Sequence, residues 1–128
     1  MRITMISHKK HILIVEDDSS TQALYSAIMA ELYQLSAAHT VREAKIILRD
    51  EKIDLAIIDL ALPGASHGLE LIEFIRKENS DKKLPIITVT AHTAPADMLA
   101  SLSAGSDEYL KKPIIADLLL STIKKYIG

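Results

Sequence analysis

The amino-acid sequence predicts an α/β fold: a single doubly wound (βα)5 domain with a five-stranded parallel sheet. Three observations predict it. Short apolar runs recur at His11–Glu16, Asp54–Asp59, Pro85–Thr90 and Asp107–Leu110, with a weaker one at Leu35–His39. Runs without polar alternation suit strands covered on both faces, as the strands of parallel sheets are. Between and after them, apolar residues recur at three- and four-residue steps, the mark of amphipathic helices. Strand and helix patterns alternate five times, which implies a parallel sheet with right-handed crossovers.

Each element has its own local signals. The first strand runs into Glu16-Asp17-Asp18, and Asp18 suits the N-cap of the first helix. That helix is read from Leu24, Ala27, Ile28, Leu32 and Leu35. After the weak second strand, Thr40-Val41-Arg42-Glu43 fits a capping box, followed by Ala44, Ile47 and Leu48. The third strand, Leu55-Ala56-Ile57-Ile58, delivers Asp59, and a helix with Leu71, Ile72 and Ile75 follows. The fourth strand ends at Thr90. Its helix is opened by Pro95 and closed by Gly105, with Met98, Leu99 and Leu102 as the expected inward stripe. The fifth strand leads to Lys111-Lys112-Pro113, then to a helix with Ile115, Leu118, Leu119, Ile123 and Ile127. Residues 1–10 are read as an N-terminal extension, expected to be disordered, and 11–128 as the domain.

Composition excludes several function classes. The chain has 128 residues, 48% of them hydrophobic, enough for one core. A net charge of −2 gives no basic footprint for nucleic acid. No apolar run approaches the ~20 residues of a membrane span, and Ile12–Val15 is too short for a signal-peptide core. The absence of cysteine excludes disulfides, thiolate metal sites and a cysteine nucleophile. The five histidines lack helical metal-ligand spacing and read as surface or satisfied side chains. A cytoplasmic protein is expected.

In open α/β sheets, ligands bind beyond the carboxyl ends of the strands. Here those ends carry Glu16, Asp17 and Asp18, then Asp59, then Thr90, and finally Lys112. Clustered carboxylates repel one another unless a cation or a raised pKa intervenes. An oxygen-only donor set suits a hard cation, Mg²⁺ best, with Mn²⁺ an alternative. Metal, ammonium and hydroxyl around one carboxylate form an arrangement for phosphoryl transfer, and a carboxylate can be the nucleophile. Asp59, at the end of the most apolar strand, is the best candidate.

Four stretches in order carry a specific resemblance: His11-Ile12-Leu13-Ile14-Val15-Glu16-Asp17-Asp18, Asp54-Leu55-Ala56-Ile57-Ile58-Asp59-Leu60-Ala61-Leu62-Pro63, Val89-Thr90-Ala91, and Gly105-Ser106-Asp107-Glu108-Tyr109-Leu110-Lys111-Lys112-Pro113. From about His11 to Ile127 the chain resembles the receiver domain of two-component response regulators. The resemblance implies a flavodoxin-like strand order 2-1-3-4-5, which the handedness rules alone do not supply. It implies Asp59 as phosphoacceptor and Glu16, Asp17, Asp59 and the Ala61 carbonyl as the Mg²⁺ site. It implies Thr90, Lys112 and Tyr109 as phosphoryl-binding or switch residues, and a cis Lys112–Pro113 bond. Ala61 and His92 resemble the positions that tune dephosphorylation; Ala61 offers no side chain to hold an attacking water, so a phosphoryl lifetime that is not unusually short is expected. The implied partners are a histidine kinase or phosphotransfer protein, and a second copy or a target on the face of the fourth helix, fifth strand and fifth helix. Such a domain is not an enzyme in the ordinary sense; it catalyses only its own phosphorylation and dephosphorylation.

The loop from Pro63 to Gly68 departs from the family pattern by one extra residue. Three rivals remain at this stage. A phosphorylation-independent, receiver-like scaffold would be expected to lack an acid, the acceptor or the lysine, and all are present. An Asp-nucleophile phosphatase of the haloacid dehalogenase type needs a second Asp where Ala61 stands. A flavodoxin-like cofactor binder needs a phosphate-cradling loop where the three acids stand.

Overall fold

The structure is a computed structural model that describes residues 9–62, 67–78 and 83–128. Most of the expected N-terminal extension (residues 1–8) and most of the loop with the expected extra residue (63–66) lie outside the described residues. The elements run β1 (His11–Val15), α1 (Ser19–Met29), β2 (Gln34–Ala38), α2 (Val41–Asp50), β3 (Leu55–Ile58), α3 (Gly68–Glu78), β4 (Ile86–Thr90), α4 (Pro95–Ala104), β5 (Glu108–Lys111) and α5 (Ala116–Ile127). All strand pairs are parallel, in the order β2-β1-β3-β4-β5.

The central strands β1, β3 and β4 are buried along their whole length. Strand alternation splits their side chains between two cores. Leu13, Val15, Ala56, Ile58 and Ile86 pack under α2 and α3, while Ile12, Ile14, Leu55, Ile57, Ile87 and Val89 pack under α1 and α5. Each fully buried aliphatic side chain contributes about 1.5–3 kcal/mol before entropic costs.

Caps set the helix starts. Asp18 Oδ2 accepts from the Thr21 backbone N–H at 2.8 Å and opens α1. Thr40 Oγ1 accepts from Glu43 N–H at 3.1 Å, and Glu43 reaches back to His39 N–H at 2.7 Å, one residue earlier than an ideal box. Pro95 starts α4, and Gly105 ends it at φ +124°.

Three expected helix faces are corrected. In α1 the buried residues are Tyr25 and Met29, whereas Leu24 is exposed, Leu32 is exposed beyond the helix, and Leu35 lies in β2. In α4 the inward residue is Ser101, fully buried, whereas Leu99 is 62% exposed and Met98 and Leu102 are exposed too. In α5, Leu119, Thr122 and Ile123 are buried, and Ile115 and Leu118 face out. These helices carry more apolar residues than one face can bury, so spacing alone selects the wrong stripe in α4 and a partly right one in α1 and α5, where Ile28 and Ile127 pack against the core and Leu119 and Ile123 are buried as expected.

The amino edge of the sheet is tied by a polar knot. Arg76 on α3 donates to Gly105 O at 2.8 Å, to Leu84 O at 2.6 Å and to Asp107 Oδ2 at 2.9 Å. Asp107 also accepts from Ile86 N–H at 2.9 Å and pairs with Lys83 at 2.7 Å. One guanidinium thus joins α3 to the segments that enter β4 and β5.

Candidate functional site

Strand ends at the opposite, carboxyl edge supply the site. Glu16 follows β1, Asp59 follows β3, Thr90 ends β4 and Lys112 follows β5. The parallel register pairs Val15 with Ile58, which sets the next residues, Glu16 and Asp59, side by side. Glu16 and Asp59 are 2% and 5% exposed, and Asp17 is exposed. Carboxylate oxygens of Glu16, Asp17 and Asp59 all lie within 4.8 Å of one another.

Lys112 Nζ bridges the two buried acids, 2.6 Å from Glu16 Oε1 and 2.9 Å from Asp59 Oδ2. The remaining oxygens are also engaged. Glu16 Oε2 accepts from Asp18 N–H at 3.0 Å, and Asp59 Oδ1 accepts from Ala61 N–H at 3.0 Å. Burial raises the Glu16 pKa, against the lowering effect of Lys112 and the Asp18 N–H. Burial pulls the Lys112 ammonium down, but its hydrogen bonds to Glu16 and Asp59 outweigh this and the net shift is upward.

Thr90 is fully buried, and its Oγ1 accepts from His92 N–H at 3.2 Å. Tyr109 packs against the α2–α3 core with its hydroxyl buried and no hydrogen-bond partner among the described residues. The Lys112–Pro113 peptide bond is cis. Ala61 and His92 are exposed and line, with Asp17, Leu60, His67 and Asp97, a cleft of about 520 Å³. The structure therefore brings Glu16, Asp17, Asp59 and Lys112 into one cluster, with Ala61 and His92 at its mouth. Tyr109 stands apart on the α2–α3 side of the sheet.

Two supporting residues escaped the sequence reading. Gly68 opens α3 directly under the acceptor, where a Cβ would stand 2.3 Å from the Asp59 carbonyl oxygen. Gln22 on α1 donates to the Glu16 carbonyl at 2.9 Å and steadies the end of β1. A glycine at a helix start hints at the first; nothing local marks the second.

Residues 12–124 match the family described as response regulator receiver domain. The chain belongs to this family. The receiver domain is 31% identical over 124 residues to the polar-differentiation response regulator DivK of Brucella anthropi, covering 93% of this chain and 97% of that one. It also resembles the CheY-like response regulator receiver domain protein of Methanospirillum hungatei JF-1, with 33% identity, a TM-score of 0.83, and coverage of 91% and 92%. The chemotaxis protein CheY4 of Vibrio cholerae superposes with a TM-score of 0.85 at 25% identity, covering 93% of this chain and 99% of that one. The receiver domain of a two-component system is thus the coarse functional assignment, and its fold is the flavodoxin-like, CheY-like one. Among the described residues, no helix is long and apolar enough to cross a membrane.

Proposed function

We propose that the domain is the phosphoacceptor of a phosphorelay, with Asp59 taking a phosphoryl group from a histidine kinase or phosphotransfer protein in a Mg²⁺-dependent step. The observation that carries the reading is the buried Asp59 carboxylate, held 2.9 Å from Lys112 Nζ inside a cluster of three acids. Three carboxylates against one ammonium leave excess negative charge, and their oxygens are hard donors; the cluster fits a divalent, oxygen-seeking cation. Glu16, Asp17, Asp59 and the Ala61 carbonyl are the residues that would hold it. A bound cation neutralises oxygens of the transferring phosphoryl group.

The chain's own residues account for the remaining steps. The Asp59 carboxylate attacks phosphorus; the new O–P bond forms as the donor's P–N bond breaks, and the imidazole leaves with the bonding pair. Lys112 turns from the Asp59 carboxylate to a phosphoryl oxygen. Thr90, whose oxygen already accepts the His92 N–H, has its hydroxyl proton left to donate. Tyr109 then fills the space that Thr90 vacates, and the face of α4, β5 and α5 changes its preferred partner. Exposed Met98, Leu99 and Leu102 on α4, and Leu118 on α5, give that face apolar surface for a second copy or a target. In this reading the domain acts in the cytoplasm, binds neither nucleic acid nor membrane, and catalyses only its own phosphorylation and dephosphorylation.

Intact-mass spectrometry after incubation with acetyl phosphate and Mg²⁺ tests the proposal. One added phosphoryl group is expected, absent in Asp59→Asn and absent without the metal. If neither acetyl phosphate nor beryllofluoride modifies the wild-type site, the domain is a phosphorylation-independent scaffold instead.

A further inference from the structure

The outer sides of α2 and α3 frame a groove that shares no residue with the acceptor cluster. Its volume is about 420 Å³, and Lys45, Ile46, Leu48, Arg49, Phe74 and Glu78 line it. A second hollow of about 430 Å³ continues along α2 and adds Val41 and Arg42. Arg42, Ile46 and Arg49 follow one another at four and three residues, so they form one stripe on the outside of the helix. Ile46 is 42% exposed at its centre. A β-branched residue is an indifferent helix former, and this one gains little burial in return. Beside it, Lys45 Nζ stands 4.5 Å from the centroid of the Phe74 ring.

The charge of this groove runs against the rest of the chain. The whole protein carries −2, yet Lys45 and Arg49 line the groove, Arg42 joins them in the adjoining hollow, and Glu78 is the one acid among the lining residues of the two. Among the described residues, neither Arg42 nor Lys45 forms an ion pair, and Arg49 pairs only with its exposed neighbour Asp50. Such an exposed pair exchanges readily for a better partner. Glu43 is already engaged by His39.

We propose that the α2–α3 groove docks an acidic, amphipathic segment of a partner protein. An apolar side chain of that segment seats between Ile46 and Phe74, and its carboxylates meet Arg42, Lys45 and Arg49. This is the helix-in-groove mode with charged flanks. A nucleic acid is less well served, because its backbone asks for a continuous basic stripe and this one has an apolar centre. The same apolar hollow sets it apart from a flat cationic patch for an anionic bilayer.

The test uses the full chain, isotopically labelled, and a synthetic helix-favouring peptide of about fifteen residues. Leucine occupies one face of the peptide and glutamate the other. Saturable amide shifts confined to α2 and α3 are expected, with affinity falling about tenfold between low and high salt. Arg42→Glu with Lys45→Glu, and separately Ile46→Ser, should each weaken binding at least about tenfold. All three positions are partly or fully solvent-facing, and an unchanged spectrum elsewhere confirms that the variants fold. Asp59→Asn should bind as the wild type does, so failure of the acceptor reading leaves this result untouched. The proposal is overturned if no saturable shift occurs, if shifts lie elsewhere, or if a lysine version of the peptide binds equally. It is overturned too if only phosphatidylserine vesicles or duplex DNA bind.

Discussion

Lys112 Nζ sits 2.9 Å from Asp59 Oδ2 although 53 residues separate the two in the chain. The same ammonium is the one salt-bridge partner of Glu16 and Asp59 among the described residues. Replacing it leaves two buried carboxylates facing each other.

Lys112→Met should therefore destabilise the metal-free domain at neutral pH, on the order of 1–3 kcal/mol. A fully buried pair would cost more, but the lysine side chain is 22% exposed. Urea unfolding measures the loss. Added Mg²⁺ should recover part of it by binding only the folded state. A variant as stable as the wild type without metal would mean that the ammonium does not hold the acids together.

Gly68→Ala probes the support beneath the acceptor. A Cβ there would stand 2.3 Å from Asp59 O and 2.8 Å from Leu60 Cα, both backbone atoms that cannot swing aside. The start of α3 and the end of β3 must separate. The expected outcome is a loss of stability on the order of 1–3 kcal/mol, together with slower labelling by acetyl phosphate. Unchanged labelling kinetics would show that the acceptor tolerates movement of its own backbone.

Arg76→Met separates folding from chemistry. It removes three hydrogen bonds and leaves Asp107 with Lys83 and the Ile86 N–H. Charge-assisted bonds are individually worth about 1.5–3 kcal/mol, so a loss of at least about 2 kcal/mol in denaturant unfolding is expected. Labelling of Asp59 in the residual folded protein should persist, because this knot lies at the other edge of the sheet.

The pH limits report a second tie, between β5 and α5. Tyr126 donates to Glu108 Oε2 at 2.6 Å, and this bond, with burial, pushes its phenol up to about 12. A raised folded-state value means the contribution is complete below the ordinary 10.0 and is lost as pH rises through about 12. Glu108 is held below its ordinary value, first by Lys125 and then by Tyr126. Its contribution is complete above about 4.5 and is lost as pH falls through the depressed value. The stability difference between wild type and Tyr126→Phe should therefore shrink between pH 10 and 12, followed by unfolding curves and phenolate absorbance. A difference that stays constant across that window would detach the tyrosine from the alkaline limb.

Strands and site were legible in the sequence because both depend on local facts. A parallel strand buried on two faces needs an unbroken apolar run, and the chemistry of such sheets gathers at strand ends. Glu16, Asp59, Thr90 and Lys112 could thus be placed on one edge before any contact was known. Helix faces were less legible. In α4, Leu99 and Ser101 are two residues apart, and the spacing of apolar residues favours the leucine, yet the serine is the one buried. Its hydroxyl is satisfied within the helix by Met98 O at 3.0 Å, which removes the usual cost of burial. The Arg76–Asp107 knot and the Gln22 prop were invisible for another reason. They join residues brought together only by the finished fold, and no local pattern announces them.

The span between Glu16 and Lys112 has a consequence for how the domain comes into being. Their 2.6 Å contact bridges 96 residues, and three strand pairings lie between β1 and β5 in the sheet. A growing chain that has emerged only as far as β4 carries the acids but not the ammonium that balances them. The charged cluster closes only once β5 has joined the sheet, so its assembly reports that the path β1-β3-β4-β5 is in place, while β2, on the far side of β1, lies outside that report.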